Sequence, residues 1–285
     1  MIEPLDQYIP GLHDTLRNAL MEDIGTGDIT TLCTIPKDRT ASAMVNVRTE
    51  AVIAGLPIVQ QIYHQIDAGV TCTAHFIDGS HVEAGSTVMT IEGSARSILT
   101  GERVALNFLQ RLSGIATLTQ QYVKCVDHTN AKIVDTRKTT PGLRLLEKYA
   151  VRIGGGHSHR MGLYDAVLIK DNHISVSGSI TAAIKTARAN MSHTMTLTVE
   201  CDSLKQVEEA LYARADIILL DNMSCEQLQV AVRLNNRRAV LEASGGITLE
   251  TAGKIAETGV DILSVGALTH SAKSIDIALD ISING

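Results

Sequence analysis

Between residues 130 and 266 the chain repeats one event six times: a short apolar run stops abruptly in charge or glycine. The runs are AKIVDT, AVLIK, TLTVE, DIILLD, AVLEAS and DILSVG, set roughly 20 to 30 residues apart by amphipathic stretches. Continuous apolar runs, rather than alternating ones, suit strands buried on both faces, and such strands are parallel. Two of the intervening stretches open with the helix-start pattern Ser203-x-x-Gln206 and Ser224-x-x-Gln227. Strands alternating with helices predict a parallel sheet that closes or nearly closes into a barrel. An eightfold barrel takes about 250 residues and only about 150 are present, so the expectation is an irregular, incomplete parallel α/β barrel.

The residues before this region have a mixed texture. Apolar spacing predicts helices over 12–22 and 55–66, and strands over 41–49, 71–77 and 87–91. EDIGTGDIT (22–30) reads as a loop in which Glu22, Asp23 and Asp28 fix the backbone or cap a helix. A long periodic segment over 97–126 is interrupted by Gly101 and Gly114, which predicts one or two helices. The fold class is therefore α/β with two domains. Residues 1–112 form a sandwich-like N-terminal α/β domain, 113–271 form the barrel, and 272–285 are candidates to rejoin the first domain. Hydrophobic residues reach 45% while aromatics are 3% and Trp is absent, so the cores must be aliphatic.

Several function classes are disfavoured. Five cysteines, an odd number without a CxxC pair, argue against a disulfide framework and a cysteine zinc site, and for a reducing compartment. The opening MIEPLDQYIP is acidic and lacks the apolar run of a signal peptide, and no stretch approaches a membrane span. A net charge of −6 disfavours nucleic acid. The expectation is a cytoplasmic protein with small-molecule partners and neither nucleic acid nor membrane.

In a parallel barrel all strand C-termini share one face, where active sites are built. The run ends there are Asp135, Arg137 and Lys138, then Lys170, Glu200, Asp221, then Glu242 and Ser244 with Gly245 and Gly246, and finally Gly266. Ser244–Gly246 and Val265, Gly266 and Ala267 leave backbone N–H groups unobstructed beside helix starts, which suits a phosphate. Arg137, Lys138, Arg160 and Lys170, with His159 partly charged, would repel one another unless an anion neutralised them. Glu200 and Asp221 could bind sugar hydroxyls, carry Mg²⁺ or face a developing positive charge.

GGGHSHR (154–160) is open to three chemistries: a phosphate wrap, a metal pair, or presentation of a histidine and Arg160 to an organic anion. The metal reading is weak, because histidines at i and i+2 share a side only in extended backbone and only His173 could supply a third nitrogen. His157 reads as a solvated loop residue.

These residues carry a resemblance. DTRKTTPGLRLLEKYAV (135–151), GGGHSHRMGLYDAVLIKDNH (154–173), EASGGI (242–247), SVGALTHS (264–271), EDIGTGDIT and the GERVALN stretch around Arg103 resemble the quinolinate phosphoribosyltransferase family over essentially the whole chain. The resemblance implies transfer of the phosphoribosyl group of 5-phosphoribosyl 1-pyrophosphate to quinolinate with decarboxylation, in the de novo route to NAD. It implies a head-to-tail homodimer with shared active sites and Mg²⁺ held mainly by substrate. Arg137, Lys138, His159, Arg160 and Lys170, with Thr136 and a partner subunit's copy of Arg103, would surround the quinolinate carboxylates. Glu200 and Asp221 would meet the ribose; Ser244, Gly245, Gly246, Val265, Gly266 and Ala267 would hold its 5′-phosphate. Lys138, Lys170, Glu200 and Asp221 would stand nearest the chemistry. Rival readings are a related transferase for another aromatic acid, a metal-dependent barrel hydrolase or lyase, and a non-catalytic sugar-phosphate binder.

Overall fold

A computed structural model describes residues 9–283. Most of the opening segment read as lacking a signal peptide, and the last two residues, lie outside them. The chain divides into two units. The first comprises residues through Leu118, Thr140–Gly155 and residues from Ala272; the second comprises Thr119–Thr139 and Gly156–Ser271. Against a cut at 112/113, the first unit thus runs a few residues further and takes in a segment from the middle of the chain.

In the first unit, α1 (Leu12–Ile24) and α2 (Ile29–Thr34) precede β1 (Thr40–Val47) and β2 (Ala51–Val52). Then come α3 (Leu56–Ile66), β3 (Thr71–Ala74), β4 (His81–Val82), β5 (Thr87–Ser94) and α4 (Ala95–Val126), whose last turns belong to the second unit. EDIGTGDIT is more ordered than a loop. Glu22 and Asp23 close α1, and Asp28 caps α2 by accepting the Thr31 N–H at 3.0 Å. A sheet of order β12-β1-β5-β3 forms the centre, its outer strand β12 (Ile277–Ile283) antiparallel to β1 with Val45 opposite Leu279. Alternation along β1 buries Ala41, Ala43, Val45 and Val47, while α3 buries Leu56, Ile58, Val59, Ile62 and Tyr63. Each large aliphatic side chain so buried contributes about 1.5–3 kcal/mol.

The segment over 97–126 is one unbroken helix, α4, so Gly101 and Gly114 do not interrupt it. They mark close approach instead. A Cβ at Gly101 would stand 2.7 Å from side-chain carbons of Tyr63 and Ile66, and one at Gly114 would run into the Lys273 carbonyl oxygen. The helix tolerates both glycines because only a missing side chain lets these neighbours pack.

The predicted runs all become strands of the second unit: β6 (Lys132–Val134), β7 (Val167–Ile169), β8 (Leu197–Cys201), β9 (Ile217–Asp221), β10 (Val240–Ser244) and β11 (Ile262–Ser264). Between β6 and β7 lies α5 (Arg144–Ile153), part of the first unit. Helices α6 (Asp171–Ser177) and α7 (Ile180–Asn190) follow β7; α8 (Leu204–Tyr212), α9 (Cys225–Asn235), α10 (Leu249–Ala256) and α11 (Ala267–His270) follow the next four strands. The sheet order is β6-β11-β10-β9-β8-β7, all parallel, and among the described residues β6 and β7 do not pair. It is a six-stranded barrel with one open seam. Of the two predicted capping boxes, Ser224 and Gln227 form theirs. Ser203 makes no side-chain cap; Gln206 instead accepts the Asp202 N–H at 2.8 Å. No helix of the described residues is long and apolar enough to cross a membrane.

Candidate active site

The strand ends meet around one cavity of about 670 Å³ at the C-terminal mouth of the barrel. Fourteen of the fifteen predicted site residues line it: Thr136, Arg137, Lys138, His159, Arg160, Lys170, Glu200, Asp221, Ser244, Gly245, Gly246, Val265, Gly266 and Ala267. Arg103 does not. It is exposed on α4.

The cationic wall is built from two loops. After β6 the chain turns at Thr136–Thr139, where the Lys138 N–H donates to Thr136 Oγ1 at 3.1 Å and Thr269 Oγ1 donates to the Lys138 carbonyl at 2.8 Å. This turn presents Arg137 and Lys138. The second loop is GGGHSHR. His157 joins the edge of β6 by a parallel bridge to Val134, donating to Ile133 O at 2.8 Å and accepting from Asp135 N at 3.1 Å. Its side chain is exposed, as expected, but its backbone is strand-like and occupies the seam beside β6.

Two residues on, the His159 N–H donates to Asp135 Oδ1 at 2.8 Å, and Arg160 follows into the cavity. Arg160 Nη1 donates to the Ala166 carbonyl at 3.3 Å. Burial, then the neighbouring Arg137 charge, push the Arg160 guanidinium below its ordinary range, with Asp165 opposing. Burial works against the Asp165 carboxylate too, yet N–H donors from Met161 and Gly162 hold it below the usual carboxylate range. Two guanidinium groups that line one cavity and repel each other constitute an electrostatic cost that an anion removes.

Facing them, Lys170 at the end of β7 pairs with Glu200 on β8, Nζ to Oε2 at 3.0 Å. The Lys170 N–H donates to His173 Nδ1 at 3.0 Å, so His173 braces the start of α6. Among the described residues no group of three His, Cys, Asp or Glu side chains could hold a metal ion.

The glycine turns form the remaining wall. Gly245 and Gly246 are left-handed, φ 93° and 60°, between β10 and the first turn of α10. A Cβ on Gly245 would strike the Asn222 side-chain amide, so glycine is required where β9 and β10 end side by side. Gly266 is crowded in the same way, with Lys138 Cδ 3.0 Å and His270 Nε2 3.1 Å from a Cβ.

Sequence reasoning missed Asn222 and His270, which also line the cavity. Asn222 has φ 54° and donates from Nδ2 to Asp221 Oδ2 at 2.7 Å. Asn next to a strand-end Asp is a usable signal for such a turn, since Asn tolerates the left-handed region. Glu242, visible in the sequence as a run end, lies deep in the cavity at 2% exposure.

Comparison with known proteins gives the following. Residues 28–113 match the family model described as quinolinate phosphoribosyl transferase, N-terminal domain, and residues 115–280 match that of its C-terminal domain. The chain is 44% identical to the probable nicotinate-nucleotide pyrophosphorylase (carboxylating) of Bacillus subtilis, over 96% of this chain and 94% of that one. It is 44% identical to the nicotinate-nucleotide pyrophosphorylase (carboxylating) of Mycobacterium leprae, over 94% and 96%. Among solved structures, NadC from Streptococcus pyogenes superposes with a TM-score of 0.93 at 44% identity, covering 96% of this chain and 97% of that one.

Proposed function

Because the chain belongs to the quinolinate phosphoribosyltransferase family, we propose that its barrel mouth carries out that reaction on the residues just described. Quinolinate and 5-phosphoribosyl 1-pyrophosphate are joined with loss of pyrophosphate and CO₂, giving nicotinate mononucleotide for NAD biosynthesis. The observation that carries the reading is the division of one cavity into a guanidinium and ammonium wall, a carboxylate pair and a glycine-lined turn.

Each wall meets one demand of the chemistry. Two polyanions approach each other, which is costly unless cations intervene; Arg137, Lys138, Arg160 and Lys170, with Thr136 beside them, receive the pyridine dicarboxylate, and His159 braces the loop that carries Arg160. The ribose 5′-phosphate takes the backbone N–H groups of Ser244–Gly246 and Val265–Ala267, beside the α10 start. As the ring nitrogen attacks the anomeric carbon and pyrophosphate departs, the sugar becomes oxocarbenium-like. Glu200 and Asp221 then lie opposite the developing positive charge. Quaternising the nitrogen turns the ring into an electron sink; the adjacent carboxylate leaves as CO₂, and the electron pair left on the ring carbon takes a proton from water. No protein nucleophile is needed; burial pushes the Cys201 thiol up to about 12.

Mg²⁺ would be carried mainly by the pyrophosphate and would offset its charge, and Asp221 and Glu200, which line the same cavity, are the hard oxygen donors that could hold it. A second copy of the chain supplies Arg103, which is exposed on α4 and free to meet a partner's cavity. A cytoplasmic setting fits the five free cysteines.

The test is formation of nicotinate mononucleotide and pyrophosphate from quinolinate, the phosphoribosyl donor and Mg²⁺. Turnover of nicotinate in preference to quinolinate would overturn the assignment. For the shared site, mixing inactive Arg103→Ala and Lys138→Ala proteins restores activity as subunits exchange; no recovery despite demonstrated exchange would place Arg103 with its own subunit.

A further inference from the structure

We propose that Glu242 is a positioning residue that fixes the ring orientation and tautomer of His159; this rests on the reading that Arg160, on the same loop, faces the pyridine dicarboxylate.

Glu242 sits on β10 opposite Leu219 of β9, which sits opposite Glu200 of β8. The shared register puts the three side chains on one face of the sheet, and all three line the cavity. The two carboxylates have different company. Glu200 is paired with Lys170, whereas the neighbour at ion-pair distance from Glu242 is His159, Oε1 to Nε2 at 3.3 Å. That Glu242 oxygen is buried, and the contact lacks the alignment of a full hydrogen bond. A small rotation of the His159 ring brings the two atoms into line without moving the backbone.

His159 is held from three sides. Its N–H is bound by Asp135, its Nδ1 accepts the Arg160 N–H at 2.7 Å, and its Nε2 points at Glu242. An imidazole nitrogen that accepts carries no proton, so the proton resides on Nε2, facing the carboxylate. Burying Glu242 between Leu219 and Ile262 of the neighbouring strands is costly and does nothing for the fold that leucine would not do better. Its position is explained by what it does to the ring: it selects the Nε2–H tautomer and keeps the Nδ1 edge locked to the Arg160 backbone. The loop that aims Arg160 is thereby held rigid.

The test uses Glu242→Leu, near-isosteric but unable to accept, and Glu242→Gln, which retains an accepting oxygen. Nitrogen-15 NMR of histidine-labelled protein without substrates reads the tautomer, with the His159 signal assigned by its loss in His159→Asn. Wild type and Glu242→Gln show the Nε2–H form, and Glu242→Leu shows a tautomer mixture. In kinetics, Glu242→Leu raises KM for quinolinate roughly tenfold or more, leaves KM for the phosphoribosyl donor within about twofold, and Glu242→Gln restores most of the loss. A single unchanged tautomer in Glu242→Leu, or equal rises in both KM values, would overturn the proposal. Should Glu242→Leu fail to fold, a wild-type spectrum showing the Nδ1–H form overturns it alone, and one showing Nε2–H with Glu242→Gln kinetics near wild type supports it. The NMR arm needs no substrate, so its failure is distinguishable from failure of the quinolinate assignment, which wild-type turnover decides.

Discussion

The barrel has two charged ends, and they use charge in opposite ways. At the floor, where strands begin, acids and bases neutralise the chain's own backbone. Asp216 accepts the Leu197 N–H at 2.7 Å and pairs with Arg188 at 2.7 Å; Asp261 accepts the Leu241 N–H at 2.8 Å. Arg238 donates to the carbonyls of Leu234 and Asn235, the last of α9, where a cation also meets the helix dipole favourably. At the mouth, Arg137 and Arg160 instead line one cavity, where the charge of Arg137 works against that of Arg160. An arginine count would rank both ends as anion sites. The partners separate them: charge already spent on strand starts and helix ends belongs to folding, and charge held against its own repulsion awaits a ligand.

That contrast can be broken by mutation. The largest effect is expected for Arg160→Ala. Losing two charge-assisted hydrogen bonds to a carboxylate, about 3 kcal/mol or more together, should raise KM for quinolinate by roughly 10²-fold. Its thermal midpoint should stay within about 2 °C of wild type. A fall in midpoint with KM unchanged would move Arg160 to the folding side. A smaller effect in the opposite channel is expected for Asp261→Ala at the floor. Leaving the Leu241 N–H without its carboxylate should cost about 1–2 kcal/mol and lower the midpoint by roughly 2–8 °C in a thermal scan. At 25 °C both KM values and kcat should be unaltered; a kinetic change there would show that the floor communicates with the mouth.

The barrel was legible because doubly buried strands write themselves as uninterrupted apolar runs, and because polar strand ends converge on one face. Gly101 and Gly114 were misread for a physical reason. Glycine signals a break and a close approach with the same letter, and the partners that decide between them, Tyr63 and Lys273, are remote in sequence. Glu242 was visible as a run end, but its meaning depends on His159, which reaches it from a loop on the other side of the barrel sequence. His270 carried no signal until α11 folded its ring back over Gly266.

The outer strand β12 also sets an order of events during synthesis. The first unit owns segments from the beginning, middle and end of the chain, and the second unit lies between them in sequence. As the chain leaves the ribosome, β1 has one neighbour, β5, while its other edge stays unpaired until residues 277–283 arrive. An unpaired edge is a template for aggregation, and the wait spans the synthesis of the whole barrel. A transcript truncated by only a dozen codons would therefore encode every residue of the mouth and still leave the earliest-made sheet unfinished.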